Sequence, residues 1–283
     1  MTDLILPTPL VAVEWLAAHL GHPDLVVLDA HMQPPSAPAS TAPVVQIPGA
    51  RRFDFDKKIC APDTDLPHML PSAELFSAEV QALGIKSSSL IVVYDRLGIF
   101  SAPRAWWMFR AMGHSRVAVL DGGLPAWQAA GLSVEPETAY AGARGDFVAQ
   151  LQSGLFCDAD TVAAELSSGR RPVLDARSAA RFAGLEPEPR AGLRAGHMPG
   201  ALNLPFGQLQ QGGKMKSVAD LQAEFAPVLA EQQAPIFSCG SGVTACILAL
   251  GAELAGYQGL TVYDGSWSEW GGDPARPVVS RHD

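Results

Sequence analysis

The chain repeats itself. Four segments of its first half recur in its second half, in the same order and at offsets of 143 to 151 residues. VVLDAHM (26–32) is echoed by PVLDARS (172–178), and QIPGARRFDF (46–55) by HMPGALNLPF (197–206). LIVVYDRLGIFSAPRAWWMFRAMGH (90–114) lines up with APIFSCGSGVTACILALGAELAGY (234–257), and VAVLDGGLPAWQAAG (117–131) with LTVYDGSWSEWGG (260–272). A period of about 145 residues is domain-sized, so this is a duplicated domain and not a solenoid of short repeats. Whatever fold one half adopts, the other must adopt as well.

Each half has one grammar. An early helix is expected at 9–20 and 160–168, then a β-branched strand ending in Leu-Asp-Ala at 25–30 and 172–176. A Pro-Gly-Ala turn leads into a second strand. Helices follow at 72–83 and 217–231, buried strands at 89–94 and 234–238, and helices at 101–113 and 243–255. Last strands at 116–120 and 259–263 end in Asp-Gly. Strands alternating with helices mean an α/β fold, a mainly parallel sheet covered by helices on both faces in each half. The domains are expected at 1–137 and 156–283, with 138–155, inside an Ala-, Gly- and acid-rich region around 134–156, as linker. A Pro/Ser/Ala run at 33–43 carries neither helical nor strand period and reads as a loop.

Hydrophobic residues make up 48% of the chain and charged residues 17%, ample material for packed cores. The net charge of -9, with no basic cluster, argues against nucleic acid and anionic membrane as partners. No apolar run approaches the length of a membrane span. The N-terminal stretch carries Asp3 and Glu14 and no basic region, so it does not read as a signal peptide. Cys60, Cys157, Cys239 and Cys246 form no C-x-x-C pair and no zinc spacing. Reduced thiols in the cytoplasm are the expectation.

Among those thiols Cys239 stands apart. It ends a strand, two glycines follow within three residues, and a helix begins after CGSGVTAC (239–246). In an open α/β sheet, ligands sit at the carboxyl ends of strands, near helix N-termini. There the helix dipole and backbone N–H groups favour a thiolate, or the larger persulfide anion. Gly240 and Gly242 let the backbone curl around such a sulfur, while Ser241 and Thr244 add hydroxyls. Asp95 occupies the matching place in the first half, so the chemistry belongs to the second. A cysteine phosphatase would need an Arg six residues on, where Ala245 stands. A thiol-redox role would need a resolving cysteine, and Cys246 lies two helical turns away.

CGSGVTAC, the closing DGSWSEW (264–270), the Leu-Asp-Ala and Pro-Gly-Ala pairs and the duplicated layout resemble the two-domain rhodanese superfamily. The resemblance runs from about residue 5 to 275, and RFAGLEPEPR (181–190), HMPG (197–200) and SAPRAWWMFRAMGH (101–114) add to it. Gly240-Ser241 is similar to the branch that takes sulfur from 3-mercaptopyruvate; thiosulfate-specific members carry a basic pair there. The resemblance implies two rhodanese-like domains, the N-terminal one non-catalytic, and no metal or cofactor. It implies that Cys239 takes up the sulfur as a persulfide, that pyruvate leaves as its enolate, and that a thiol such as thioredoxin, or cyanide, accepts the sulfur. Arg181 and Arg190 would hold the substrate's carboxylate and keto oxygen, with Gly240, Gly242, Val243 and Thr244 around them. Ser241, His68 and Asp56 would move a proton to the leaving enolate. The stretch from Asp to His is one residue longer than in the family, so Asp54, Asp63 and Asp65 rival Asp56. Gln46 departs too, standing where His is usual. His197 and Asp175 are expected to be structural, and Trp267 and Trp270 to pack beneath the loop. A thiosulfate sulfurtransferase and a persulfide carrier without turnover are the alternatives.

Overall fold

The repeat in the sequence is a repeat in the topology. The computed structural model describes residues 4–34, 43–230 and 233–280. One unit gathers Met1–Pro62, Leu70–Gln152 and Gly212–Met215, the other Asp63–Met69, Ser153–Gln211 and Lys216–Asp283. The first unit holds strands β1 (Leu10–Val11), β2 (Leu25–Asp29), β3 (Arg51–Arg52), β4 (Leu90–Tyr94) and β5 (Val117–Leu120). They form one parallel sheet in the order β1-β5-β4-β2-β3. The second unit holds β6 (Phe156–Cys157), β7 (Val173–Asp175), β8 (Leu202–Asn203), β9 (Ile236–Ser238) and β10 (Thr261–Tyr263). Their order, β6-β10-β9-β7-β8, is the first sheet's with every label raised by five.

Helices flank both sheets. They are α1 (Val13–His19), α2 (Ala73–Ala82), α3 (Ala102–Ala111), α4 (Gly123–Ala129), α5 (Ala159–Ser168), α6 (Ala179–Phe182), α7 (Val218–Phe225), α8 (Ala245–Ala255) and α9 (Ser266–Trp270). All five residues of β4 are buried, as a parallel strand covered on both faces requires. Val92 and Tyr94 pack with Leu16 of α1 and Trp127 of α4. Ile91 and Val93 point the other way, toward the side where Phe76 of α2 meets Phe109 of α3 edge-on at 5.2 Å. Side-chain caps start four of the described helices: Ser72 accepts from the Leu75 N–H, Asp158 from Thr161, Ser178 from Arg181 and Ser217 from Asp220.

The expected strands and helices recur within a few residues, and each difference has a local cause. The first helix begins at Val13, not residue 9, because Leu10–Val11 is drawn into the sheet beside Val119 and Leu120. Helix α7 stops at Phe225, two residues before Pro227, which has no N–H to continue the ladder. Residue 231, expected in that helix, and residues 35–42 of the expected Pro/Ser/Ala loop lie outside the described residues. Helices α4 and α9, each following an Asp-Gly turn, were not anticipated.

The stretch expected as linker runs along the first unit as far as Gln152. Gly145 and Phe147 N–H groups donate to the Gln81 and Ile85 carbonyls, and Gln150 and Gln152 to Met112 and Ala111. Phe147 is buried among Phe76, Phe109 and His114. Phe147→Ala should therefore lower the stability of the first unit by about 3 kcal/mol, read as an earlier denaturant midpoint by tryptophan fluorescence.

Candidate active site

Strand β9 delivers Cys239 to the mouth of helix α8. The residue is 1% exposed, and the Thr244 side chain does not cap the helix. Gly242 takes a φ of 72°, bending the loop back toward the helix start. The first unit reveals what this geometry is built to hold. There Asp95 follows β4, and its carboxylate accepts four backbone N–H groups, from Leu97, Phe100, Ser101 and Ala102, at 2.7–2.9 Å. The strand–loop–helix unit is an anion cradle, filled in one half by its own carboxylate. In the other half a thiol stands at the same place.

A second segment grips the backbone of that thiol. The Cys239 N–H donates to Ser266 Oγ at 3.1 Å, and the Ser266 hydroxyl donates onward to the Tyr263 carbonyl at 2.8 Å. The Trp267 N–H donates to the Cys239 carbonyl at 2.9 Å. The Gly240 carbonyl accepts twice, from the Ser268 N–H at 2.9 Å and its hydroxyl at 2.7 Å. Trp267 and Trp270, expected beneath the loop, pack in the core with Ile236, Tyr263 and Met198. Backbone and serine hydroxyls hold the loop.

Charge reaches the loop through a buried chain. Asp175, at the end of β7, accepts from Arg177 Nε at 2.9 Å and Nη2 at 2.7 Å. Arg177 Nη1 donates to Glu188 at 2.7 Å, and its guanidinium lies 4.2 Å from the Trp267 ring centroid. Burial works against the Arg177 charge, but Asp175 and Glu188 outweigh it and hold its pKa above the usual guanidinium value. The other Glu188 oxygen pairs with Arg181. A Cβ built on Gly240 would lie 3.2 Å from Arg181 Nη2, so the guanidinium sits over the residue after Cys239. Neither Arg177 nor the bridging place of Glu188 was foreseen. The signal was a Leu-Asp-Ala-Arg run followed by Glu-Pro-Glu-Pro-Arg, legible only once strand end and loop are known to meet.

The other predicted residues fall into two groups. Arg190 Nη2 lies 3.1 Å from His68 Nε2, which must then be the nitrogen without a proton. His68 is buried and takes a left-handed φ of 63°. Ser241, Gly242 and Val243 are buried in the loop, with Thr244 partly so. Asp56 belongs to the first unit, where it lines a cavity with His31, Arg52, Asp54, Lys57 and Arg96. Of its rivals, Asp54 caps the Lys57 N–H at 3.2 Å, while Asp63 and Asp65 are exposed. His197 stacks on Phe182 at 3.8 Å, and its Nδ1 donates to the Phe182 carbonyl at 2.8 Å. Gln46 does related work in the first unit, donating to Ala50 and Glu135. Among the described residues no group of His, Cys, Asp and Glu could hold a metal ion, and no helix is long and apolar enough to cross a membrane.

Residues 12–130 and 158–273 each match the rhodanese-like domain family. The chain is 38% identical over 275 residues to the 3-mercaptopyruvate sulfurtransferase of Escherichia coli (strain K12), covering 95% of this chain and 96% of that one. It is 41% identical over 297 residues to a mitochondrial thiosulfate/3-mercaptopyruvate sulfurtransferase of Arabidopsis thaliana, covering 96% and 78%. It superposes on the crystal structure of SseA from Escherichia coli, described as a 3-mercaptopyruvate sulfotransferase, with a TM-score of 0.83 and 36% identity over 92% and 99% of the two chains.

Two outcomes follow from the geometry. Arg177→Met strands Asp175 as a buried anion and leaves Glu188 only Arg181 as partner, and should cost about 3–5 kcal/mol of stability, whereas His197→Ala should shift the melting midpoint without altering donor preference. Burial pushes the Cys157 thiol up to about 12. At about pH 8, peptide mass mapping after brief iodoacetamide treatment should find Cys157 unmodified.

Proposed function

The chain belongs to the rhodanese family, and on that premise we propose that it carries sulfur from 3-mercaptopyruvate, through a Cys239 persulfide, to a thiol such as thioredoxin or to cyanide. It is a sulfurtransferase in which 1–137 forms the non-catalytic half and 156–283 the catalytic one. The observation that carries the choice of donor is Arg181 over Gly240, beside a loop, 240–245, that has no charge of its own. A planar guanidinium suits the donor's carboxylate and keto oxygen. Thiosulfate brings two negative charges to a sulfur acceptor, and here the Arg181 guanidinium is already shared with Glu188.

The reaction splits into two displacements. The Cys239 thiolate attacks the donor sulfur. The donor's C–S bond breaks, and its electron pair leaves on the pyruvate carbon as the enolate. Protonation of that carbon gives the methyl group of pyruvate. Ser241 is proposed to pass this proton, with His68 behind it and Asp56 orienting His68. The acceptor's thiolate, or cyanide, then attacks the outer sulfur and returns Cys239 as the leaving thiolate. Arg190 fits a double task, because it reaches both for a carboxylate and to His68. Val243 and Thr244 supply the wall and the amide groups around the sulfur. No step calls for a metal or organic cofactor. The absence of a disulfide among the four cysteines supports work in a reducing compartment such as the cytoplasm.

The test is pyruvate and thiocyanate release with equal concentrations of 3-mercaptopyruvate and thiosulfate. A strong preference for 3-mercaptopyruvate, lost in Cys239→Ser, is expected. Preference for thiosulfate would overturn the donor assignment, and a stoichiometric persulfide without turnover would recast the protein as a sulfur carrier. Gly240→Ala, whose methyl group presses on Arg181, should raise KM for 3-mercaptopyruvate several-fold and leave the Cys239 persulfide able to form.

A further inference from the structure

The two halves differ at one backbone position in a way that tracks the chemistry. Asp121-Gly122-Gly123-Leu124-Pro125 in the first unit corresponds to Asp264-Gly265-Ser266-Trp267-Ser268 in the second. Both copies turn through the left-handed region at the third residue, with φ of 54° at Gly123 and 50° at Ser266. Both then donate the next N–H to the carbonyl at the loop start, Leu124 to Asp95 and Trp267 to Cys239, each at 2.9 Å. Glycine is the residue this φ favours. The non-catalytic half has it, and a Cβ there would lie 2.5 Å from the Asp95 carbonyl oxygen. The catalytic half keeps a fully buried serine at the same strained angle. Where the first unit has Pro125, which has no N–H to offer, the second has Ser268 with two donors.

The strain coincides with a directional result. Every peptide in the described chain is trans, so each C=O points opposite to the N–H of the same peptide. The Cys239 carbonyl is held toward α9 by the Trp267 N–H, which turns the Gly240 N–H away from α9. The Gly240 carbonyl is held there by both donors of Ser268, which turns the Ser241 N–H away as well. In the first unit the amide two residues past the loop start, that of Leu97, is one of the four that bind the Asp95 carboxylate. The corresponding amide is that of Ser241.

We infer that Ser266 and Ser268 are positioning residues for the sulfur transfer: they fix the Cys239 and Gly240 peptides so that the loop's amide groups face the sulfur as it gains and loses charge. The inference rests on Cys239 being the nucleophile. Neither serine touches the sulfur. Ser266 accepts from the Cys239 N–H and donates to the Tyr263 carbonyl, while the Trp267 N–H holds the Cys239 carbonyl, so the cysteine's main chain cannot turn without breaking two hydrogen bonds.

Ser266→Gly separates positioning from stability, because glycine already serves at this angle in the first unit. The melting midpoint should stay at or above the wild-type value. Single-turnover release of pyruvate from 3-mercaptopyruvate should slow by roughly tenfold or more, with KM within about twofold. Ser268→Ala, at an ordinary helical position, should slow the same step with the fold intact. Should Ser266→Gly fail to fold, Ser268→Ala decides the question by itself. Iodoacetamide modification of Cys239, followed by peptide mass, gives a readout independent of the donor and should slow in both variants. Wild-type pyruvate release and wild-type Cys239 modification in folded variants would overturn the inference. A wild-type protein that ignores 3-mercaptopyruvate would instead overturn the donor assignment, and the modification rates would still decide the role of the serines.

Discussion

The guanidinium of Arg177 is where the catalytic half is tied together. It spans the end of β7 at Asp175, the carboxylate of Glu188, the Gly196 carbonyl and the face of Trp267, almost without solvent. A buried charge is costly unless its partners are well placed, and removing one partner is worse than never having the pair. The cluster therefore constrains three chain segments at once. Glu188, fixed on one side by Arg177, presents its other oxygen to Arg181, and Arg181 lies over the loop that bears the thiol. The position of Arg181 over Gly240 is inherited from a hydrogen-bond chain that begins at a strand end.

The first unit handles the same strand-end carboxylate differently. Asp29 takes its guanidinium from Arg96, at 2.8 Å, and Arg96 is the residue that corresponds to Gly240. An arginine from the loop itself thus closes over the first cradle. In the second unit the strand end supplies its own arginine, the loop is left with glycine, and room opens for Arg181. One duplicated backbone supports two different arrangements of strand-end carboxylate and arginine through the exchange of a few side chains.

Much of this was legible in the sequence because duplication multiplies weak signals. A short apolar run such as 234–238 is ambiguous alone, but beside its copy at 89–94 it reads as a buried strand. Cys239 and Gly240 stood out for the same reason, since a nucleophile and a glycine stand where the first half has Asp95 and Arg96, whereas Arg181 came in only through the family resemblance. What escaped was whatever depends on tertiary meeting. The Asp175–Arg177–Glu188 chain joins residues whose proximity follows only from the path of the loop between β7 and β8. Tryptophans drew attention in DGSWSEW, yet its serines grip the loop, and only comparison with DGGLPAW marks Ser266 as a side chain where glycine belongs. The stretch around 138–155 looked like a connector because the region is rich in Ala and Gly and carries no helical or strand period; a single buried Phe147 and a ladder of backbone hydrogen bonds bind most of it to the first unit.

Asp95 has a bearing on how such a protein meets the anions around it. A carboxylate attached to the loop it occupies is present at an effective concentration that free sulfate, phosphate or carboxylic acids do not reach. With four amide groups engaged, the first cradle is saturated before any ligand arrives. The chain thus has two copies of the same strand–loop–helix architecture, and in the first the amide groups are already taken. Duplication here enlarged the scaffold without doubling the capacity, and the spare copy is insulated from mass action by its own side chain.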